Sequence, residues 1–449
     1  MKADHTRRTF IQTSAFGLAA LATARGQSAN GRLQHACIGV GGMGARDMQQ
    51  FVDHARVEIV AICDVDRQRL EAAAKLAPNA RKYTDWRELM AKEGDRIDSV
   101  NIAVPDHMHA AITMTALAAR KHVYCQKPLC HDVAECRAVA KATREAGVIT
   151  QLGTQYASGL GDRMMVRLLK EGVVGKVKRV VLCSNRTNAI EQYRLVGPRP
   201  EKPEPAPAFL DWNLWLGTAP ERPFAPDIYH PMKWRAWQDF GTGWSGDIGC
   251  HIFDAVWKGL GLVAPKRVVA EVQKSWKESP ERRDDTWPQS DHITWTFPGS
   301  GMTEGDELTV EWFDGEMFPP EEVREISDMK QYPEEAAMVI GTEGAILLPH
   351  QSAPRLYPSD KFKGHPYPKL EPRNHYHHFI EACLGGEKTE SHFLQTAPMT
   401  EAILLGTVAI RVPDETLHWN SAAMEIAGND TAQGLLKRTY RDGWKVDGL

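Results

Sequence analysis

Short apolar runs alternate with stretches of helical periodicity over the first third of the chain. The runs predict strands over 36–40, 57–63, 99–104, 122–125 and 148–152. Between them the 3.6-residue spacing predicts helices over 45–53, 67–76, 86–91, 107–119 (amphipathic) and 134–146. Strand and helix in strict alternation give a doubly wound parallel sheet with helices on both faces, ending near Gly153 and Thr154. The texture then changes. A helix over 164–171 and a long strand over 177–185 precede a Pro-rich excursion (198–207) and a Trp-rich stretch from Trp212 to Trp244. Strands over 267–272, 292–297, 308–313, 338–341 and 345–348 follow in succession, as a mostly antiparallel sheet requires. Late helices over 376–384 and 400–411 are expected to pack back on the body. The fold class is therefore α/β, a doubly wound domain followed by an α+β domain with a large, mostly antiparallel open sheet. The division is 1–31, 32–154 and 155–449.

The first strand runs into Gly39-Val40-Gly41-Gly42-Met43-Gly44, and the second ends at Asp64. Gly39 permits a tight turn, Gly41 lets the backbone approach a pyrophosphate, and Gly44 allows helix to pack closely on strand. Unpaired N–H groups at the helix start, with Gly42 and Met43, face the phosphates. Asp64 stands where an acid accepts hydrogen bonds from a ribose hydroxyl. This is a dinucleotide site, and Asp64 argues for NAD, while Arg67 nearby leaves NADP open.

Two further stretches carry chemistry. Lys127 and Pro128 close the strand at 122–125, at the sheet edge where ligands bind, although a surface lysine before a helix reads equally well. Asp247 and His251 lie four residues apart on a glycine-flanked helix, hence on one face. A carboxylate beside an imidazole serves as general acid and base; the plainer reading is a helix cap and a core histidine.

Composition narrows the class. The 449 residues carry a net charge of −4 and 25% charged side chains, with no dense basic block, so neither nucleic acid nor a polybasic membrane footprint is indicated. No apolar run reaches the ~18 residues of a membrane span. The eight cysteines form no CxxC pair and read as buried thiols. His375, His377 and His378 are read as structural, and no metal site is expected. At the amino terminus, Arg7-Arg8 followed by Phe10-Ile11, an Ala/Gly-rich segment and Ala22-Thr23-Ala24 read as a twin-arginine export signal. The expectation is a periplasmic protein delivered by the twin-arginine machinery with tightly held cofactor.

Together, Gly39-x-Gly41-x-x-Gly44, Asp64, Val104-Pro105-Asp106-x-x-His109, Gln126-Lys127-Pro128 and Asp247-x-x-x-His251 resemble the Gfo/Idh/MocA family of sugar and polyol oxidoreductases, from about Leu33 onward. The resemblance implies an NAD-binding Rossmann domain. It implies cofactor contacts at the glycine turn, Asp64, Pro105, His109, Gln126 and Lys127, and a catalytic set of Lys127, Asp247 and His251. Gln155, Trp234 and Arg235 are expected to meet a sugar-like substrate, although core and rim packing reads equally well for the Trp-Arg pair. Gln126 departs from the family's glutamate, which lies beside the nicotinamide. Relatives pair through the second sheet, so a homodimer or homotetramer is expected.

The reaction implied is hydride transfer from a carbinol carbon to nicotinamide, with His251 as base, Lys127 stabilising the alkoxide and Asp247 orienting the ring. The alternative is an NAD-dependent glycoside hydrolase or lyase working through transient oxidation at C3 of the sugar. A non-catalytic sugar-binding protein is a third reading, against which Lys127, Asp247 and His251 speak.

Overall fold

The computed structural model describes residues 31–186 and 202–449, so the paired arginines at 7 and 8 and the first residues of the Pro-rich excursion lie outside the described residues. Six parallel strands form the first sheet: β1 Leu33–Ile38, β2 Val57–Cys63, β3 Arg81–Tyr83, β4 Ser99–Ile102, β5 His122–Cys125 and β6 Thr150–Leu152. Their order is β3-β2-β1-β4-β5-β6. The order reverses beside β1, and at that switch point a crevice opens above the carboxyl ends of the strands. β3 has no counterpart in the apolar pattern, because Arg81-Lys82-Tyr83 is a polar edge strand.

Helices α1 (Met43–Val52), α2 (Arg67–Ala74), α3 (Trp86–Glu93), α4 (His109–Ala118) and α5 (Val133–Ala146) connect the strands. Each of α2, α3 and α5 is started by an aspartate accepting from first-turn N–H groups: Asp66, Asp85 and Asp132. The expected amphipathic helix at 107–119 is instead buried nearly all round, eight of the ten residues of α4 being covered. It packs against α5, and the chain's last residues, Trp444 and Leu449 among them, join the same core.

After α6 (Leu160–Lys170) comes the second sheet, with nine strands among the described residues. β7 (Val177–Ser184) lies beside β10 (Glu307–Asp314) in parallel, and every other neighbouring pair is antiparallel. The remaining strands are β8 (Arg267–Val272), β9 (Asp291–Pro298), β11 (Glu335–Gly341), β12 (Ala345–Pro349), β13 (Arg355–Tyr357), β14 (Leu417–Asn420) and β15 (Glu425–Ala427). One face is covered by α6 and by the helix at Gly243–Leu260, whose burial is almost complete. The described end of the Pro-rich excursion, residues 202–205, is exposed, and the Trp-rich stretch after it forms its own aromatic core around Trp215, Tyr229, Trp237 and Phe240.

The late helices do pack back. His375–Cys383 docks on α1, and Phe393–Arg411 runs between α5 and Gly243–Leu260. Phe393–Arg411 starts two turns earlier than the pattern indicates, because Pro398 is accommodated inside it. Among the described residues it is the one helix long and apolar enough to cross a bilayer, and 83% of that window is buried inside the protein.

Candidate active site

A cleft of about 490 Å³ opens at the switch point of the first sheet. Its first end is built by backbone. Gly39 has φ +80°, and a Cβ there would come within 2.3 Å of the Ala103 carbonyl oxygen, so only glycine fits. Gly44 does not face the cleft; a Cβ on it would meet the Gly39 oxygen at 2.0 Å, which is the close packing of helix on strand. No side chain caps α1, so N–H groups of its first turn remain for an anion. Asp64 lines the cleft, its carboxylate gripped by the backbone N–H of Val40 and of Asp66, each at 2.9 Å. Burial raises its pKa against those bonds. Each oxygen keeps a lone pair for a sugar hydroxyl. These residues fit a dinucleotide, since glycine turn, uncapped helix and fixed acid converge on one crevice.

The second end is built by side chains from segments far apart in sequence. Lys127 Nζ donates to Asp247 Oδ1, and the Arg235 guanidinium approaches Asp247 Oδ2 at 3.4 Å. Arg235 also stacks over the Trp234 ring at 4.2 Å, and both line the cleft. His251 lines it one helical turn beyond Asp247. Burial, with Lys127 nearby, holds its imidazole well below the usual histidine range, so it is neutral at physiological pH. Its Nδ1 is buried and has no hydrogen-bond partner among the described residues. A neutral imidazole beside a lysine–aspartate pair is the equipment for taking a proton from a hydroxyl.

The cleft wall therefore brings together Lys127, His251, Trp234, Arg235, Gln155, Gln126 and Pro105 with Gly39, Gly41, Gly42, Met43 and Asp64, and Asp247 stands behind that wall, joined to it through Lys127 and Arg235. His109 is not among them. Its Nδ1 lies 2.6 Å from the Pro128 oxygen and its Nε2 2.8 Å from that of Val104, so it ties two cleft-wall loops together from behind. Asp247 is taken up by two cations, so its orienting effect falls on Lys127 and Arg235. His375 is bonded to Ser158 and the Leu152 oxygen, a structural post at a helix start.

Two cleft residues escaped the reading by motif. Asp106 is buried, accepts from the Thr242 hydroxyl at 3.0 Å, and is pushed up to about 7 by burial and by the charge of Asp247. Its signal was present inside the Val104-Pro105-Asp106 motif. Arg69 lies over Gly41 and pairs with Asp66 at 3.4 Å, whereas Arg67 is turned to the Ala208 oxygen. Only the facing of α2 separates the two arginines.

The aromatic segment roofs the adenosine end. Leu210 bridges to Asp66, Asp211 N–H donates to Val65, Arg67 N–H donates to Phe209, and His230 lies 3.0 Å from Asp66. Leu214, Trp215, His230, Pro231 and Met232 thereby wall the cleft.

Residues 33–154 match the model of the GFO_IDH_MocA oxidoreductase family, NAD-binding Rossmann fold, and residues 160–298 match that of the family's C-terminal alpha/beta domain. Together they span more than half of the chain. An inositol 2-dehydrogenase of Salmonella typhimurium is 29% identical over 165 residues, 36% of this chain and 48% of the relative. A glycosyl hydrolase family 109 protein of a Shewanella species is 28% identical over 149 residues, 31% of this chain and 32% of the relative. The match thus spans about half the length of the first of these relatives and a third of the second. In fold, the chain resembles a WlbA dehydrogenase of Bordetella pertussis solved with NADH and UDP-GlcNAcA, at TM-score 0.60 and 15% identity, covering 87% of this chain and 99% of that one.

Proposed function

The chain belongs to the Gfo/Idh/MocA oxidoreductase family, and we propose that it transfers hydride between NAD and a carbinol carbon of a sugar, polyol or sugar derivative. The observation that carries this reading is the meeting of Lys127, Asp247, Arg235 and neutral His251 at the far end of a cleft whose other end is the glycine turn. Bound NAD supplies the hydride acceptor. His251 takes the hydroxyl proton, Lys127 stabilises the oxygen as negative charge develops, and Asp247 holds Lys127 and Arg235 in place. Trp234 offers an apolar face to the sugar, and Arg235 and Gln155 offer donors.

A second reading is favoured by the aromatic roof over the adenosine end. A cofactor held under Trp215, His230 and Met232 is poorly placed to exchange. That suits a cycle in which oxidation at C3 acidifies the neighbouring C–H, the leaving group is eliminated, water adds, and hydride returns to the sugar. The likeness to a glycosyl hydrolase family 109 protein points the same way. The discriminating experiment supplies a panel of sugars, polyols and nitrophenyl glycosides to the purified protein, identifies bound nucleotide by mass spectrometry, and follows NADH absorbance together with nitrophenol release. NADH without nitrophenol establishes the dehydrogenase; nitrophenol at catalytic NAD establishes the hydrolase or lyase; neither product with any compound refutes both.

Export by the twin-arginine route to the periplasm belongs to the same proposal and rests on Arg7, Arg8 and the Ala22-Thr23-Ala24 segment. Arg7→Lys with Arg8→Lys should leave the protein in the cytoplasm; unchanged delivery refutes the targeting. A homodimer or homotetramer is proposed from the outer face of the second sheet, where Arg179, Glu311 and His292 form a polar ladder beside a patch covered by the chain's own Val323. Sedimentation at micromolar protein tests it, and a monomer mass would contradict it.

A further inference from the structure

Gln126 stands where an acid is expected, and an acid lies directly behind it. Asp47, on α1, is fully buried and does not line the cleft. Its two carboxylate oxygens are 2.8 and 3.0 Å from Gln126 Nε2, and one accepts from the Tyr376 hydroxyl at 2.9 Å. Gln126 forms the cleft wall beside Lys127, with its carbonyl oxygen against Gly153, where a Cβ would come within 2.6 Å. While Asp47 is ionised the amide is held with its NH₂ toward it, because reversal would set a carbonyl against a carboxylate. The titratable groups facing Asp47 are Cys37 on β1, Tyr124 on β5 and Tyr376 on the helix at His375–Cys383. Burial first, and then Asp47 itself, pushes all three above their usual ranges, so none is charged near neutrality. Arg46, next in sequence, is exposed, and Lys127 is turned to Asp247. Burial pushes Asp47 up to about 7.

A buried carboxylate among neutral neighbours takes up a proton unless a cation comes near. The nicotinamide ring is a cation when oxidised and neutral when reduced. We propose that Asp47, acting through the Gln126 amide, is a positioning residue that supplies negative charge behind the nicotinamide end of the cleft and favours oxidised over reduced cofactor. The inference rests on the NAD reading and deepens it. Gln126 and Asp47 do together what one wall carboxylate would do, with the charge set one amide further back. The sign follows: ionised Asp47 attracts the oxidised ring, so preference for NAD⁺ over NADH rises as pH rises through the titration of Asp47.

The test equilibrates the full-length protein with mixed NAD⁺ and NADH between about pH 6 and about pH 8.5, removes free nucleotide, and reads the bound oxidised-to-reduced ratio. In the unaltered protein that ratio should rise about tenfold across the range, the scale of about one pKa unit of coupling. Asp47→Asn should reduce the pH dependence to the share of Asp106, which lines the same cleft and titrates in the same range, and lower the ratio about tenfold at the alkaline end. Asp47→Asn combined with Gln126→Glu puts the carboxylate back in the wall and should restore the preference for NAD⁺; it decides the matter where Asp47→Asn alone folds poorly. A ratio independent of pH in the unaltered protein, or one that Asp47→Asn leaves unchanged, would overturn the inference while leaving NAD binding intact. No bound nucleotide of either form would overturn the NAD reading, and the inference with it.

Discussion

The two ends of the cleft each present a buried aspartate, and they differ in what holds it. Asp64 is gripped by two backbone N–H groups, both from the βαβ unit that also makes the glycine turn. Asp106 is held by a hydroxyl from another domain, Thr242, and lies in the field of Lys127, Arg235 and Asp247. Backbone groups fix a geometry whatever side chains surround them. Side-chain charges fix an energy, and that energy exists only once distant segments have met. The adenosine end should therefore fail through lost contacts, and the chemical end through lost proton handling.

The largest effect should come at the chemical end. Lys127→Ala and His251→Ala should each lower turnover ~10²–10⁴-fold, the usual cost of removing a positioned acid or base. Neither residue belongs to the glycine turn or to Asp64, so nucleotide content by mass spectrometry should be unchanged. Retained turnover in the His251 variant would dissolve the shared site. Loss of nucleotide along with turnover would erase the distinction between the two ends.

At the adenosine end the expected loss is in affinity. Asp64→Ala removes the acceptor for a ribose hydroxyl and leaves the Val40 and Asp66 N–H groups without their partner. NAD binding should weaken by roughly 1–3 kcal/mol, the scale of hydrogen bonds to a charged group. Calorimetric titration measures it, and turnover at saturating NAD should stay within a few-fold of the parent. Undiminished affinity would mean that the backbone grip, rather than the ribose, is the whole purpose of Asp64.

This contrast also explains what was legible in the sequence. β2, β5 and β8 have the boundaries their apolar runs indicate, because local pattern decides a buried strand. The glycine turn was legible for the same reason: φ at Gly39 and the contact of Gly44 with Gly39 are satisfied within one supersecondary unit. Four polar or short strands, β3, β13, β14 and β15, were not, since pairing rather than hydrophobicity makes them strands. Lys127, Asp247 and His251 were found through resemblance; spacing alone could not decide between a cap with a core histidine and a catalytic pair. Asp106 and Asp47 lay in plain view, one inside a quoted motif and one three residues past Gly44. Their chemistry was hidden because it comes from burial and from neighbours in other segments. The contacts of His109 were hidden by the same logic: it is a motif residue whose ring nitrogens lie against two backbone carbonyls.

The smallest expected effect is on stability, and it tests the claim that the chemical end is governed by energy. Asp106 is pushed up to about 7, whereas an unfolded aspartate titrates near its ordinary value of 3.8. Between those two values the folded protein binds a proton that the unfolded chain does not. Its share of the stability is full below the lower value and is lost as pH rises through the upper one. Asp106→Asn cannot ionise and forgoes that loss. Relative to the parent, the variant should therefore gain about 1 kcal/mol or more between about pH 5 and about pH 8. Asp47, Asp132 and Asp314 are also pushed up to about 7, and they tilt both proteins alike, so the difference isolates Asp106. Denaturant unfolding at the two pH values measures it. A difference that stays flat would mean that Lys127 and Arg235 already hold Asp106 ionised, and the chemical end would then be as fixed in charge as the glycine end is in geometry.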